Sequence, residues 1–215
     1  PGTGKTTVAR LYSELLAALG IIKGGQLVEV ARVDLVGRYV GHTAQLTKEV
    51  FERARGGVLF IDEAYALAQG GENDFGQEAI DTLVKLMEDH RDDTVVIAAG
   101  YSEEMGRFVA ANPGLASRFG RRIEFEDYTS AELVTIVEQQ AEAQGYELDA
   151  GLLPALLQHF ESVPRDRNFG NARYARQVMD QLINQQAGRL SRSADPSLDE
   201  LRGLVIEDLQ LDAAR

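Results

Sequence analysis

The sequence predicts an α/β fold in which a doubly wound parallel sheet precedes a smaller, all-helical region, and three observations carry that prediction. Two continuously apolar runs, Val58-Leu59-Phe60-Ile61 and TVVIAA at 94–99, stop abruptly at Asp62-Glu63 and at Gly100. Such runs suit strands that a parallel sheet buries on both faces. Helical periods alternate with them up to about Tyr128, as in βαβ units. From Ser130 onward only helical periods occur, which sets a boundary near Tyr128 to Ser130.

The chain opens with the glycine-rich stretch PGTGKTTVAR. Val8, Leu11, Leu15, Leu16 and Leu19 then recur at the helical interval, giving a helix over Thr6 to Leu19 that Gly20 closes. Gln26 to Val30 reads as a short strand and Ala44 to Arg55 as a helix ended by Gly56 and Gly57. Gln77 to His90 is helical, and Arg122 to Phe125 is one more short strand. In the second region helices are expected over Ser130 to Gln144, Gly151 to Ser162 and Asn171 to Leu190. Beyond Pro196 a short amphipathic piece spans about Leu198 to Leu209. The resulting division is 1–129 for the α/β subdomain, 130–192 for the helical one and 193–215 for a tail, with no internal repeat or low-complexity tract.

At 215 residues the chain exceeds the size of one typical domain, about 100 to 150 residues, so one large and one small subdomain are expected. A hydrophobic share of 44% and a charged share of 26% exclude a disordered or membrane class. No apolar run approaches the roughly 20 residues that span a bilayer. The absence of cysteine removes disulfides and thiolate metal sites and makes a cytoplasmic setting the default. The net charge of −12 argues against a general affinity for nucleic acid, although a local basic channel stays open.

Chemistry concentrates first in the opening stretch. Gly4-Lys5-Thr6 is the closing half of a phosphate-binding loop, whose pattern is G-x-x-x-x-G-K-[S/T] after a buried strand. Backbone N–H groups freed by Gly2 and Gly4 can wrap a phosphate, the positive end of the following helix favours the anion, and Lys5 can reach the β and γ phosphates. Thr6 would offer its hydroxyl oxygen to Mg²⁺. A glycine turn before an unrelated helix is the bland alternative. Phosphoryl transfer also needs a carboxylate at the end of a neighbouring strand for the metal, with a water-orienting group beside it. Asp62 and Glu63 supply both. Alone, this acidic pair would be an ordinary cap or turn; some 56 residues after Gly4-Lys5-Thr6 it is expected to complete a Mg²⁺-dependent phosphoryl-transfer site.

These stretches, with DLVGRYVGHT, GGVLFIDEAYAL, DFGQEAI, VVIAAGY, NPGLASRF and FGNARYAR, resemble the AAA+ ATPases. Within them the chain is similar to the CbbX/SpoVK group, which holds the red-type Rubisco activase, stage V sporulation protein K and the ATPase domain of EccA from type VII secretion. The likeness runs from Pro1 to about Arg176. It implies an AAA+ P-loop NTPase with a parallel five-stranded sheet and a helical lid. In that sheet the strand before the loop lies centrally, between the strands ending at Phe125 and Ala99. A sheet without its middle strand leaves rows of unpaired backbone groups, so the natural protein is expected to extend upstream of Pro1.

Residue roles follow from the same resemblance. Pro1, Gly2, Thr3, Gly4, Lys5, Thr6 and Thr7, with Asp62, would bind the nucleotide, and Thr6 and Asp62 the metal. Glu63 would act on the attacking water. Arg118 matches the arginine finger that reaches a neighbouring subunit's γ phosphate, with Arg121 and Arg122 as nearby competitors. Arg173 matches the second sensor arginine, and Arg176 suits a plain surface role. Tyr39, between Gly37 and Gly41, matches the aromatic pore loop of ring-forming remodellers, where the bland alternative is a packing tyrosine. Many AAA+ proteins place an asparagine after the strand that here reads VVIAAGY. Gly100-Tyr101-Ser102 stands there instead, leaving open whether Tyr101 or Ser102 polarises the water.

The resemblance thus implies an ATP-hydrolysing homo-oligomer, a hexamer, that remodels a protein client through its pore. The alternatives are a nucleotide-dependent switch or scaffold with little turnover and a DNA-directed loader. Intact Glu63 and Arg118 count against the first, and the acidic balance and aromatic pore loop against the second. The motifs do not specify the client.

Overall fold

A computed structural model describes residues 1–71, 74–191 and 195–210. The chain divides into two compact units, one formed by 5–124 and the other by 1–4 together with 125–215.

In the first unit, β1 (Leu27–Val30), β2 (Val58–Ile61) and β3 (Val95–Ala98) form a parallel sheet in the order β1-β2-β3, with Ile61 opposite both Val30 and Ala98. All four residues of β2 are buried. Their alternation explains the unbroken apolar run, since each face meets different helices. Val58 and Phe60 face α1 (Lys5–Ala18), through Leu16 and Ala9 respectively. Leu59 and Ile61 pack into the main core with Val50 and Phe51 of α3 (Thr43–Arg53) and Ile80 and Leu83 of α4 (Gly76–Asp89). The sheet is therefore doubly wound, as the sequence predicts.

Shorter elements complete the unit: α2 (Arg32–Leu35), a 3₁₀ turn at Ala64–Ala68, α5 (Ser102–Ala111) and α6 (Pro113–Ala116). Asn112 caps α6 by accepting from the N–H groups of Gly114 at 2.9 Å and Leu115 at 3.2 Å, with Pro113 at the first helical position. The predicted strand at Arg122 to Phe125 is not present; the segment forms no ladder. A strand exists only through a neighbour that takes its backbone donors and acceptors, and none of the described strands pairs with this segment.

The second unit is built on α7 (Ser130–Gln144), α8 (Leu152–Ser162) and α9 (Ala172–Leu190). Thr129 and Glu132 form a capping box at the start of α7, and Gly145, at φ +79°, ends it. Leu133, Val137, Leu152, Leu156, Phe160, Val178 and Leu182 form a closed apolar core. Leu204 sits fully buried in that same core, at the end of a short strand, β5 (Gly203–Leu204), which pairs in parallel with β4 (Glu147–Leu148). The intervening helix α10 (Leu198–Arg202) starts with a Ser197–Glu200 capping box. Gln186, buried on α9, donates to the carbonyls of Glu200, Leu201 and Gly203, and Arg189 forms a two-toothed pair with the buried Asp208 at 2.8 and 2.9 Å. These contacts hold 197–209 against α9; residues 193, 194 and 211–215 of the tail read from the sequence lie outside the described residues.

Two stability predictions arise here. Phe160→Ala removes a fully buried ring and should lower the unfolding free energy of the helical unit by about 3–5 kcal/mol in urea denaturation. In the α/β unit the Asp93 carboxyl lies below its usual range because the Arg55 guanidinium donates to it at 2.6 Å, with the Thr94 hydroxyl adding a second donor. A depressed carboxyl contributes stability that is full above the ordinary carboxylate range and is lost as pH falls through the lower folded value. Thermal melts between neutrality and the acid range should therefore fall less steeply for Asp93→Asn than for the parent.

Candidate active site

The packing of α1 fixes which end of the sheet its first turn occupies. Ala9 packs against Phe60 and Ala99, near the carboxyl ends of β2 and β3, whereas Leu16, two turns on, packs against Val58 at the start of β2. The helix thus runs antiparallel to the strands, and Lys5 and Thr6 in its first turn stand at the strands' carboxyl edge. Open α/β sheets bind ligands along that edge. The first turn of α1 contains no acidic residue to neutralise its positive end. Lys5 and Thr6 are half-buried there, and Thr7 is exposed.

Asp62 and Glu63 leave the same edge directly after β2, both exposed. The Asp62 N–H donates to Val30 O at 2.8 Å and the Ala64 N–H to Ala99 O at 3.0 Å, so backbone bonds to both flanking strands fix the pair from either side. The Glu63 N–H donates to Asp62 Oδ1 at 3.1 Å. Glu63 adopts a left-handed backbone, φ 47° and ψ 46°. Such a conformation is rare for a non-glycine residue and persists where surrounding structure imposes it, often at functional sites.

Gly100-Tyr101-Ser102 follows β3. A Cβ on Gly100 would come within 2.7 Å of the Tyr65 ring; that close approach explains why glycine occupies the position. Tyr65 and Tyr101 lie side by side with ring centroids 6.2 Å apart. Burial, and next the negative charge of Glu63, push the Tyr65 phenol up to about 12, keeping it a neutral hydrogen-bond donor beside the acidic pair. Sequence reasoning gave Tyr65 no role, although it lies two residues after Glu63. Ser102 is the first residue of α5, its carbonyl accepting from Arg122 at 3.3 Å.

Arg118 follows α6, between the buried Leu115 and the core-packed Phe119. Its guanidinium turns back on its own chain, donating to Gly114 O at 3.0 Å and to Glu88 at 3.1 Å, while its Nε is buried with no hydrogen-bond partner. Arg122 pairs with Glu124 at 2.8 Å, and Arg121 is exposed. Tyr39 is 69% exposed on a loop whose Gly37 N–H is held by the Thr43 hydroxyl at 3.0 Å.

In the other unit, Gly2 (φ +70°) and Gly4 (φ +84°) take conformations that side chains disfavour. A Cβ on Gly2 would lie 2.1 Å from Gly170 O. Pro1 is half-buried and Thr3 buried. Asn171, fully buried and itself at φ +48°, donates to Pro1 O, Asp127 and Phe169 O and accepts from the Tyr128 N–H at 2.9 Å, while the Ala172 N–H donates to Gly2 O at 3.1 Å. The sequence reading passed over Asn171, which lies within the quoted FGNARYAR. Arg173 is exposed at the start of α9, and Arg176 is exposed one turn later.

A helix that opens with Lys5 and Thr6 at the carboxyl edge of a parallel sheet, directly after Gly2 and Gly4 in sequence, with an acidic pair leaving the end of β2 at that same edge, defines a P-loop nucleotide-binding protein. The chain belongs to the AAA family, the ATPase family associated with various cellular activities, whose model matches residues 1–127, and the AAA lid domain model matches 129–215. It is 44% identical to stage V sporulation protein K of Bacillus subtilis over 98% of its own length and 66% of that protein's. Identity is 47% to protein CbbX of Cereibacter sphaeroides, covering 98% of this chain and 69% of the relative. It is also 47% to the chloroplastic ribulose bisphosphate carboxylase/oxygenase activase of Cyanidioschyzon merolae, covering 96% and 71%. The chain thus spans about two thirds of the length of these relatives. Among solved structures, the Holliday junction branch migration motor RuvB of Thermotoga maritima matches with a TM-score of 0.61 at 21% identity, covering 94% of this chain and 57% of that one. The FIGL-1 AAA domain in complex with ADP matches at 0.60 and 19%, covering 97% and 66%. At these identities the two structures speak to the fold alone.

Proposed function

We propose that the chain hydrolyses ATP with Mg²⁺ as one subunit of a homo-hexameric ring that remodels a protein client through a central pore, in a cytoplasmic setting. The observation that carries this reading is the convergence of the first turn of α1 with Asp62 and Glu63 at one edge of the sheet. The residues fit the groups they would hold. Among the described residues no cluster of three or more His, Cys, Asp or Glu could cage a metal, and Mg²⁺ is typically held by one or two carboxylates, phosphates and water instead. Thr6 and Asp62 would supply the protein's share. When bound, the ion would neutralise charge on the β and γ phosphates.

Pro1 to Gly4 and Thr7 would line the nucleotide, and Lys5 would pair with its terminal phosphates. Glu63 orients the attacking water and accepts its proton, with Tyr101 beside Tyr65 as the polarising partner. Arg118 serves the site of the neighbouring subunit, and Arg173 reports the state of its own. Tyr39, exposed on its loop, would grip an extended polypeptide. A relative named as an activase of ribulose bisphosphate carboxylase/oxygenase supports a protein as the client class. The net charge of −12 speaks against nucleic acid. Among the described residues no helix is long and apolar enough to cross a membrane.

The deciding experiment is the steady-state ATPase rate per protomer across a wide range of protein concentration. A rate that rises and then levels off is expected, because each site is completed by a neighbour. A flat, very low rate that a client protein leaves unchanged would instead favour a nucleotide-dependent switch. Stimulation by ribulose bisphosphate would assign the client to the carboxylase branch.

A further inference from the structure

The Tyr39 loop and the Glu63 segment lie on different elements, yet one side chain joins them. Arg32 is the first residue of α2, which leads directly into Gly37 to Gly41. Its guanidinium donates to the carbonyls of Ala66 at 2.7 Å and Leu67 at 3.3 Å, both in the 3₁₀ turn that Glu63 begins. The second arm of the fork donates to Asp74 at 2.6 Å. Asp74 also accepts from the Gly76 N–H, at the start of α4, at 2.6 Å. The turn is tied tightly to Glu63 itself, since the Ala66 N–H donates to Glu63 O at 2.8 Å.

The other end of α2 is anchored as firmly. Leu35 is fully buried, and its carbonyl accepts from the buried Thr47 hydroxyl at 2.9 Å. The loop beyond it is held by Thr43 at Gly37, while Tyr39 and Val40 stand 69% and 84% exposed. A displacement of the turn after Glu63 therefore has a short, polar and directional route to the loop. An arginine suits this duty because its planar fork can hold two carbonyls and a carboxylate at once, which a lysine ammonium on a flexible stem cannot match.

We propose that Arg32 is the positioning residue that couples the nucleotide-dependent state of the Glu63 segment to the position of the Tyr39 loop. The inference rests on the reading of Glu63 as the hydrolytic residue and of Tyr39 as the moving loop, and its test separates the two.

The sequence contains no tryptophan, so Tyr39→Trp places a sole tryptophan at the loop, excited at wavelengths that the tyrosines do not absorb. Its emission is compared with ADP and with the slowly hydrolysed analogue ATPγS, each with Mg²⁺, at occupancies set by a fluorescent-nucleotide titration. The two emissions should differ when Arg32 is present. Arg32→Met should at least halve that difference while nucleotide affinity and thermal midpoint change little, and Arg32→Lys should give an intermediate value. An undiminished difference in both variants would overturn the coupling and leave the loop reading intact; a lowered midpoint with that same outcome would mark Arg32 as purely structural. If Arg32→Met fails to fold, Arg32→Lys decides by the same criterion. No difference between the two nucleotides in the reporter that retains Arg32, with both bound, would overturn the loop reading and the coupling with it.

Discussion

Glu63→Gln should bind ATP about as tightly as the parent and hydrolyse it at least about 100-fold more slowly, the size of a lost general base. The substitution keeps the length and shape of the side chain and removes its capacity to take a proton. Glu63 lies exposed at the sheet's edge, while its backbone is fixed by bonds from Ala64 to Ala99 and from Asp62 to Val30. The change should therefore leave the fold and the left-handed backbone in place. Phosphate release in single-turnover conditions measures the loss, and a fluorescent-nucleotide titration measures the affinity. Because ATP would then persist in every site, the variant should also sediment as a ring at concentrations where the parent dissociates. Turnover within about threefold of the parent would remove Glu63 from the mechanism, since that is far below a general-base contribution.

Much of the fold was legible because it rests on short-range rules. The helix over Ser130 to Gln144 falls where the sequence places it, since a Thr129–Glu132 box opens it and Gly145 closes it within the local chain. The burial of every residue in Val58 to Ile61 was likewise readable, since only a strand covered on both faces has an unbroken apolar run. Arg122 to Phe125 failed for the opposite reason. Its strand character depended on a partner strand, which none of the described strands supplies, and periodicity within the segment carries no information about that. The burial of Leu204 and Asp208 against α9 was hidden in the same way, because the amphipathic pattern over about Leu198 to Leu209 marks an apolar face and does not say which helix covers it.

The site divides along similar lines. Glycines, lysine and acidic residues at fixed spacing announce themselves, whereas the side chains that hold them in place are ordinary in type and scattered in sequence. Arg32 and Asp74 are 42 residues apart, and although Asp74 opens DFGQEAI, the resemblance gives neither residue a role. Asn171 lies inside FGNARYAR, where the family resemblance gives a role to Arg173 and none to Asn171. A buried asparagine bonded to three backbone groups and a carboxylate becomes visible only when the chain is folded.

Arg118→Ala should lower the ATPase rate about 1,000-fold or more, the contribution an arginine finger makes to phosphoryl transfer. In the isolated chain Arg118 is bound to Gly114 O and Glu88, so a finger role requires the guanidinium to turn outward. That cost is small. The pair with Glu88 is part-exposed, at 24% and 55%, and such ion pairs contribute about 0.2–1 kcal/mol, whereas a phosphate in a closed interface accepts two charge-assisted hydrogen bonds from the same fork. The buried Nε, which lacks a partner in the isolated chain, would gain one by that rotation. The test is to mix Arg118→Ala with Lys5→Ala. Each alone should be nearly inactive, the first for want of a finger and the second for want of nucleotide binding. Together they should recover a rate well above the sum of the two, since an Arg118→Ala subunit with an intact site can sit beside a Lys5→Ala subunit with an intact finger. Absence of recovery in rings shown by sedimentation to contain both chains would mean that Arg118 serves its own subunit. The same measurement on Arg122→Ala should show a rate close to the parent's, because that side chain is engaged with Glu124 and the Ser102 carbonyl on the surface.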